Sequence, residues 1–86
     1  MIIYKYPIRC LQDEFDLTLP RDAKILTVQV QDGVTCLWAV VDMEKSRERR
    51  FFRIIGTGVD YSALGLEYVG TFQLPPYVWH LFEVVR

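Results

Sequence analysis

Four arginines, Arg47, Arg49, Arg50 and Arg53, run almost directly into Gly56-Thr57-Gly58. Guanidinium forks give paired hydrogen bonds to phosphate oxygens, and the backbone N–H groups of a glycine turn add more. Thr57, between two glycines, lies where a ligand can approach the backbone closely. Arg50 and Arg53 are the candidates for direct contact. They stand three positions apart, so on a regular strand they point to opposite faces unless a bulge at Phe51-Phe52 realigns them. Arg53, nearer the glycines, is expected to be better ordered than Arg47 on the charged tip. The run is not a Walker loop, because the glycine spacing and the Lys-Ser/Thr ending are missing. It is not a dinucleotide fingerprint either, because no helix follows. Asp42, Glu44 and Glu48 are interleaved with the basic residues. The alternative is therefore a solvated, self-paired hairpin tip, with Gly56 and Gly58 serving only a bulge and turn.

His80 is the only histidine. To bind metal it would have to meet Cys10, Cys36 or carboxylates across the fold, and no Cys-x-x-Cys or His-x-His nucleus points that way. To move protons it would need a positioned partner such as Asp42 or Asp60. No catalytic residue, metal ligand or cofactor is assigned. His80 reads as a structural or interface histidine, with a hydrogen bond to a ligand as its functional alternative. Tyr4, Tyr6, Tyr61, Tyr68, Tyr77 and Trp79 are amphipathic and suited to lining a pocket or stacking on bases. Trp38, Phe52, Phe72 and Phe82 read as core or interface. The candidate ligand-binding set is Arg47, Arg50, Arg53, Thr57, Tyr61 and His80, with Gly33, Gly56 and Gly58 as turn residues.

Strands must position these groups. Residues 2–6 form a β-prone run stopped by Pro7, and residues 14–19 alternate Phe15, Leu17 and Leu19 with Glu14, Asp16 and Thr18. In residues 24–31, Leu26, Val28 and Val30 share one face, and Ile25 interrupts the polar one. Asp32-Gly33 accepts the positive φ values of a type I′ turn, so residues 24–31 and 34–43 are expected to form a hairpin. The second of these is apolar on both faces, as in a central strand or one that turns a face to a partner. Residues 44–48 read as the tip of the next hairpin and residues 50–55 as its returning strand. Residues 68–72 and 78–85 make a last pair across Pro75-Pro76, which cannot sit inside a ladder. Residues 60–66 leave room for one short helical turn, with Ser62 or Asp60 as its cap. The expected fold is all-β, an antiparallel meander of six or seven strands in a curled sheet or small barrel.

With 86 residues the chain makes one domain, residues 1–86, and its hydrophobic content of 51% is too high for disorder. A domain this small has apolar surface to spare, so a homodimer or higher homo-oligomer is expected. The net charge of -1 argues against a duplex-coating protein. No run approaches the ~18 apolar residues of a membrane span, and the first residues resemble neither a signal peptide nor an anchor. A cytoplasmic protein is expected, with Cys10 and Cys36 as free thiols rather than a bridge.

Tyr4–Pro7 (YKYP), Leu19–Gly33 (LPRDAKILTVQVQDG), Leu37–Asp42 (LWAVVD), Gly56-Thr57-Gly58, Tyr68–Gln73 (YVGTFQ) and Val78–Glu83 (VWHLFE) together resemble a family of small uncharacterised phage and prophage proteins. The family carries no assigned reaction. The resemblance implies an accessory role, often the countering of host defences. The leading expectation is a non-enzymatic protein that captures a small phosphorylated ligand, such as a nucleotide-derived host immune signal. A protein-interaction module that inhibits a bacterial defence protein is the second. A small metal-independent phosphodiesterase or nuclease using His80 is the third.

Overall fold

The described residues fold into seven antiparallel strands in two sheets. The computed structural model describes residues 1–9 and 12–85. The strands are β1 (Ile2–Pro7), β2 (Glu14–Pro20), β3 (Lys24–Gln31), β4 (Val34–Val41), β5 (Arg47–Gly56), β6 (Leu66–Leu74) and β7 (Tyr77–Val84). One sheet has the order β1-β4-β3 and the other β2-β5-β7-β6. The all-β, antiparallel, seven-strand expectation is met, but the order is not that of a meander. Only β3–β4 and β6–β7 are paired neighbours in sequence. No helix is long and apolar enough to cross a membrane among the described residues.

The core lies between the sheets. Val28, Leu37, Ala39 and Val41 of the first sheet meet Leu19, Phe52, Phe72 and Leu81 of the second, and Phe15 stacks on Phe52 at 5.3 Å. Two sheets spaced ~10 Å apart account for a shortest dimension of 18 Å. Gly70 allows a close approach of the layers, since a Cβ there would lie 2.9 Å from Val28 Cγ1. Burying a side chain the size of Leu37 or Phe52 contributes about 1.5–3 kcal/mol, so this seam carries most of the fold.

The β3–β4 hairpin turns where expected, with φ of 51° at Asp32 and 78° at Gly33. Its face assignment needs correction. A bulge between Ile25 and Thr27 puts Ile25 opposite Ala39 on the core side and leaves Leu26 exposed. Ile25 therefore interrupts no polar face; the chain changes phase there. Residues 44–48 are likewise no hairpin tip: Arg47 and Glu48 already belong to β5, which leaves residues 42–46 between the strands. That segment forms a crossover between sheets, closed by Lys45 N–H donating to the Asp42 carbonyl at 3.1 Å, and β5 then pairs with β2 and β7 rather than β4. No helical turn forms in residues 60–66. Ser62 Oγ accepts from Leu64 N–H at 3.3 Å, and Gly65, at φ 73°, reverses the chain into β6.

Cys36 is a buried free thiol. Cys10 lies outside the described residues, as does the pairing considered for it. On the outer face of the first sheet Trp38 is half-buried, with Lys5 Nζ 5.7 Å from its ring, and Lys5 also donates to Gln31 Oε1 at 2.8 Å. The second face of β4 is thus partly covered by its own chain.

Candidate functional site

The outer face of the four-stranded sheet carries a cleft of about 430 Å³, inside the usual range for small-molecule sites. Three segments build it. β5 delivers Ile55 and Gly56, then turns at Gly58 with φ 86°, closed by Val59 N–H donating to the Gly56 carbonyl at 3.2 Å. Gly56 has no positive φ. Its missing side chain leaves room for Trp79, whose Cζ3 would be 3.2 Å from a Cβ there. The loop after Gly58 lays Tyr61 against Phe82, with ring centroids 5.3 Å apart.

β6 and β7 supply the rest. β7 alternates, so Val78, His80 and Phe82 share the outer face while Trp79 and Leu81 face the core. In β6, Tyr68 pairs with Phe82 and Thr71 pairs with His80, because a bulge between Tyr68 and Gly70 inserts one residue. Without the bulge, residues three apart would face opposite ways. Tyr68 packs edge-on against Phe82 at 5.6 Å, so two tyrosines flank one phenylalanine floor.

A hydrogen-bonded line crosses this floor. Thr57 Oγ1 lies 3.0 Å from the Val78 carbonyl, to which it donates, and 2.8 Å from His80 Nε2. His80 Nδ1 lies 2.9 Å from Thr71 Oγ1, and Thr71 Oγ1 lies 2.5 Å from the Tyr68 hydroxyl. Both imidazole nitrogens are thereby engaged by threonine hydroxyls. Thr57 and Thr71 are exposed, so these groups stand at the cleft surface rather than beneath it. Among the described residues no group of three or more His, Cys, Asp or Glu side chains could hold a metal ion.

The structure brings together Thr57, Tyr61 and His80, along with Gly56 and Gly58. Gly33 lies elsewhere, in the β3–β4 turn. It does not bring Arg47, Arg50 or Arg53 to the cleft lining. No bulge realigns Phe51-Phe52, so Arg50 and Arg53 do point to opposite faces. Arg50 lies on the inner side, where Nε and Nη2 grip Glu83 at 2.5 and 2.7 Å and Nη1 donates to the Ala23 carbonyl. That carboxylate raises the Arg50 pKa, with burial working against it. Arg53 faces outward beside Phe82 but is drawn to Glu14 at 3.9 Å. Arg47 opens β5 opposite Pro20, and its charge lowers a Tyr6 phenol that burial raises more strongly. Arg49 pairs with Asp16 at 2.8 Å and Lys45 with Asp22 at 3.0 Å. The acids that match the basic run come from β2, β7 and the β2–β3 turn, not from the run itself.

Five cleft residues fall outside the expected set: Ile55, Val59, Tyr68, Thr71 and Phe82. Phe82 reads as core filling, and it is buried, but on the outer face beneath the tyrosines. Tyr68 reads in the sequence only as one of the amphipathic aromatics suited to lining a pocket. Thr71 carries no sequence signal apart from its neighbour Gly70, a residue that often accompanies a bulge.

A model of a domain of unknown function, DUF7352, matches residues 1–86. No curated protein and no solved structure matches the chain.

Proposed function

The chain belongs to the DUF7352 family, and we propose that it is a non-enzymatic small-ligand-binding protein whose ligand sits in the outer-face cleft. One observation carries this reading: Thr57 and Tyr61 from the β5–β6 connection, Thr71 from β6 and His80 from β7 line one aromatic-floored cavity. Tyr61, Tyr68 and Phe82 suit a flat ring, and the threonine–histidine line suits its polar edge. The narrower reading takes that ring to be a nucleobase, the ligand a nucleotide-derived host immune signal, and the protein a cytoplasmic phage accessory factor that sequesters it. Any phosphates would then project from the cleft rather than sit in an arginine clamp, since Arg49, Arg50 and Arg53 each have an acidic partner.

The protein would be incubated with a bacterial nucleotide extract, washed and denatured, and the released molecules identified by mass spectrometry. A heteroaromatic compound retained by the native chain and lost in Tyr61→Ala is the expected result. Equal retention by both would refute the site.

A second reading has its own support. β1 is the edge of the three-stranded sheet, and Ile2, Ile3 and Tyr4 are 48%, 66% and 43% exposed. An open edge with apolar side chains suits strand addition by a partner protein or by a second copy, which relocates the expected homo-oligomer interface from β4 to β1. Light scattering that returns a 10.1 kDa monomer at tens of micromolar would reject the second copy. The phosphodiesterase or nuclease reading expected Asp42 or Asp60 beside His80, whose hydrogen bonds run to Thr57 and Thr71 instead.

A further inference from the structure

From hydrogen-bond bookkeeping along the His80 line we infer that the cleft recognises a hydrogen-bond donor on its ligand, such as the exocyclic amino group of a heteroaromatic ring, and discriminates against groups that only accept. The inference rests on the cleft being the ligand site and adds what the site selects.

The argument starts from the Val78 carbonyl, which can only accept. Thr57 spends its one hydroxyl hydrogen on it, at 3.0 Å. The contact from Thr57 Oγ1 to His80 Nε2 must then run the other way, with Nε2–H donating. A neutral imidazole with its hydrogen on Nε2 has a bare Nδ1, so Thr71 donates its hydrogen there. Thr71 has no second hydrogen. The Tyr68 hydroxyl must therefore donate to Thr71 Oγ1. Every polar hydrogen in the line is consumed inside the line.

What the line itself leaves toward the cleft is lone pairs only; the Tyr61 hydroxyl stands outside the line. Thr57 Oγ1 and Thr71 Oγ1 each keep one acceptor position, and the Tyr68 oxygen keeps its own. A carbonyl or phosphate oxygen placed here would set lone pairs against lone pairs. An N–H would be met by up to three oxygens, with Tyr61 and Phe82 packing its ring. Because these oxygens stand at the cleft surface, water meets them in the free protein, and one matched hydrogen bond sets a moderate discrimination against a ligand lacking the donor.

Two measurements test this. The ring nitrogens of His80 would be read by ¹⁵N NMR in the free protein at about pH 8. Hydrogen on Nε2 with a bare Nδ1 is expected, and hydrogen on Nδ1 overturns the inference whatever the ligand. Amide-shift titrations would then compare adenosine with purine riboside and N6,N6-dimethyladenosine, which keep the ring and lack the amino hydrogens. Adenosine should bind roughly tenfold tighter, with shifts at Thr57, Tyr68 and Thr71, and Thr71→Val should reduce that preference. Equal binding of all three in the cleft would overturn donor selection and leave the cleft reading standing. Shifts absent from the cleft with all three, or inorganic phosphate shifting Arg47 and Arg53 instead, would overturn both.

Discussion

Two strands each present a pair of polar residues three positions apart, and they use them in opposite ways. In β5, Arg50 and Arg53 follow a regular ladder and diverge. Arg50 turns inward to tie β5, β7 and Ala23 together, and Arg53 faces outward toward Glu14. In β6, Tyr68 and Thr71 have a bulge between them and converge on the outer face, where they complete the line through His80. Residue type alone would favour the arginines as the site. Backbone phase decides otherwise, because one inserted residue turns a dispersed pair into a wall of a cleft.

The largest expected effect falls on the β5 pair. Arg50→Ala leaves the Glu83 carboxylate partly buried without its guanidinium, and breaking such a pair costs about 3 kcal/mol. Urea unfolding would measure it. Arg50→Met combined with Glu83→Leu should recover much of the loss, since an apolar pair removes both desolvated charges. An Arg50→Ala protein with unchanged stability but lost ligand binding would break the comparison and return Arg50 to the ligand.

Next comes the residue that accompanies the bulge. Gly70→Ala drives a Cβ to 2.9 Å from Val28 Cγ1, and the β-branched valine has little freedom to yield. Overpacking of this kind costs about 1–3 kcal/mol, and a domain of this size loses about 4–8 °C of Tm per kcal/mol. Cleft binding should weaken with it, because the same backbone sets Tyr68 and Thr71. A thermal melt and an adenosine titration on one preparation would check both.

Thr71→Val tests the converging pair directly. Its exposed position predicts a stability change under ~1 kcal/mol, against a roughly tenfold loss of affinity for adenosine. Equal stability with equal affinity would remove Thr71 from the site.

The smallest effects belong to the outer ion pairs. Hydrogen bonds from Arg49 and Lys45 hold the Asp16 and Asp22 carboxyls below their ordinary values. A depressed folded pKa favours the folded state above the unfolded pKa, so this contribution is present near neutrality and is lost as pH falls through the carboxylate range. Acid titrations of stability should flatten slightly in Arg49→Ala, and a profile superimposable on the native one would show that this pair contributes nothing.

What could be read in the sequence follows the same divide between local and non-local. Asp32-Gly33 declares its turn because both residues must take positive φ, and the alternation of Phe15, Leu17 and Leu19 declares an inner face because its period is uninterrupted. The faces of His80 and Phe82 were legible for the same reason. The two bulges were not, since an inserted residue leaves no mark except a break in the pattern. At Ile25 that break looked like an imperfection in the strand. The pairing of β5 with β2 was hidden too, because its matching charges, Asp16 and Glu14, lie more than thirty residues from Arg49 and Arg53. Thr57, Tyr61 and His80 could be singled out one at a time. Their convergence depends on the pairing of β5 with β7, where the sequence pattern offers a hairpin of β5 with β4.

The most direct test of the account is an amide chemical-shift map of the ¹⁵N-labelled protein titrated with adenosine. The account predicts that the perturbed residues cluster at Thr57, Tyr61, Tyr68, Thr71 and His80, on one face of the four-stranded sheet. Perturbations centred on Arg47, Arg50 and Arg53, or on the β1 edge, with the cleft silent, would contradict it.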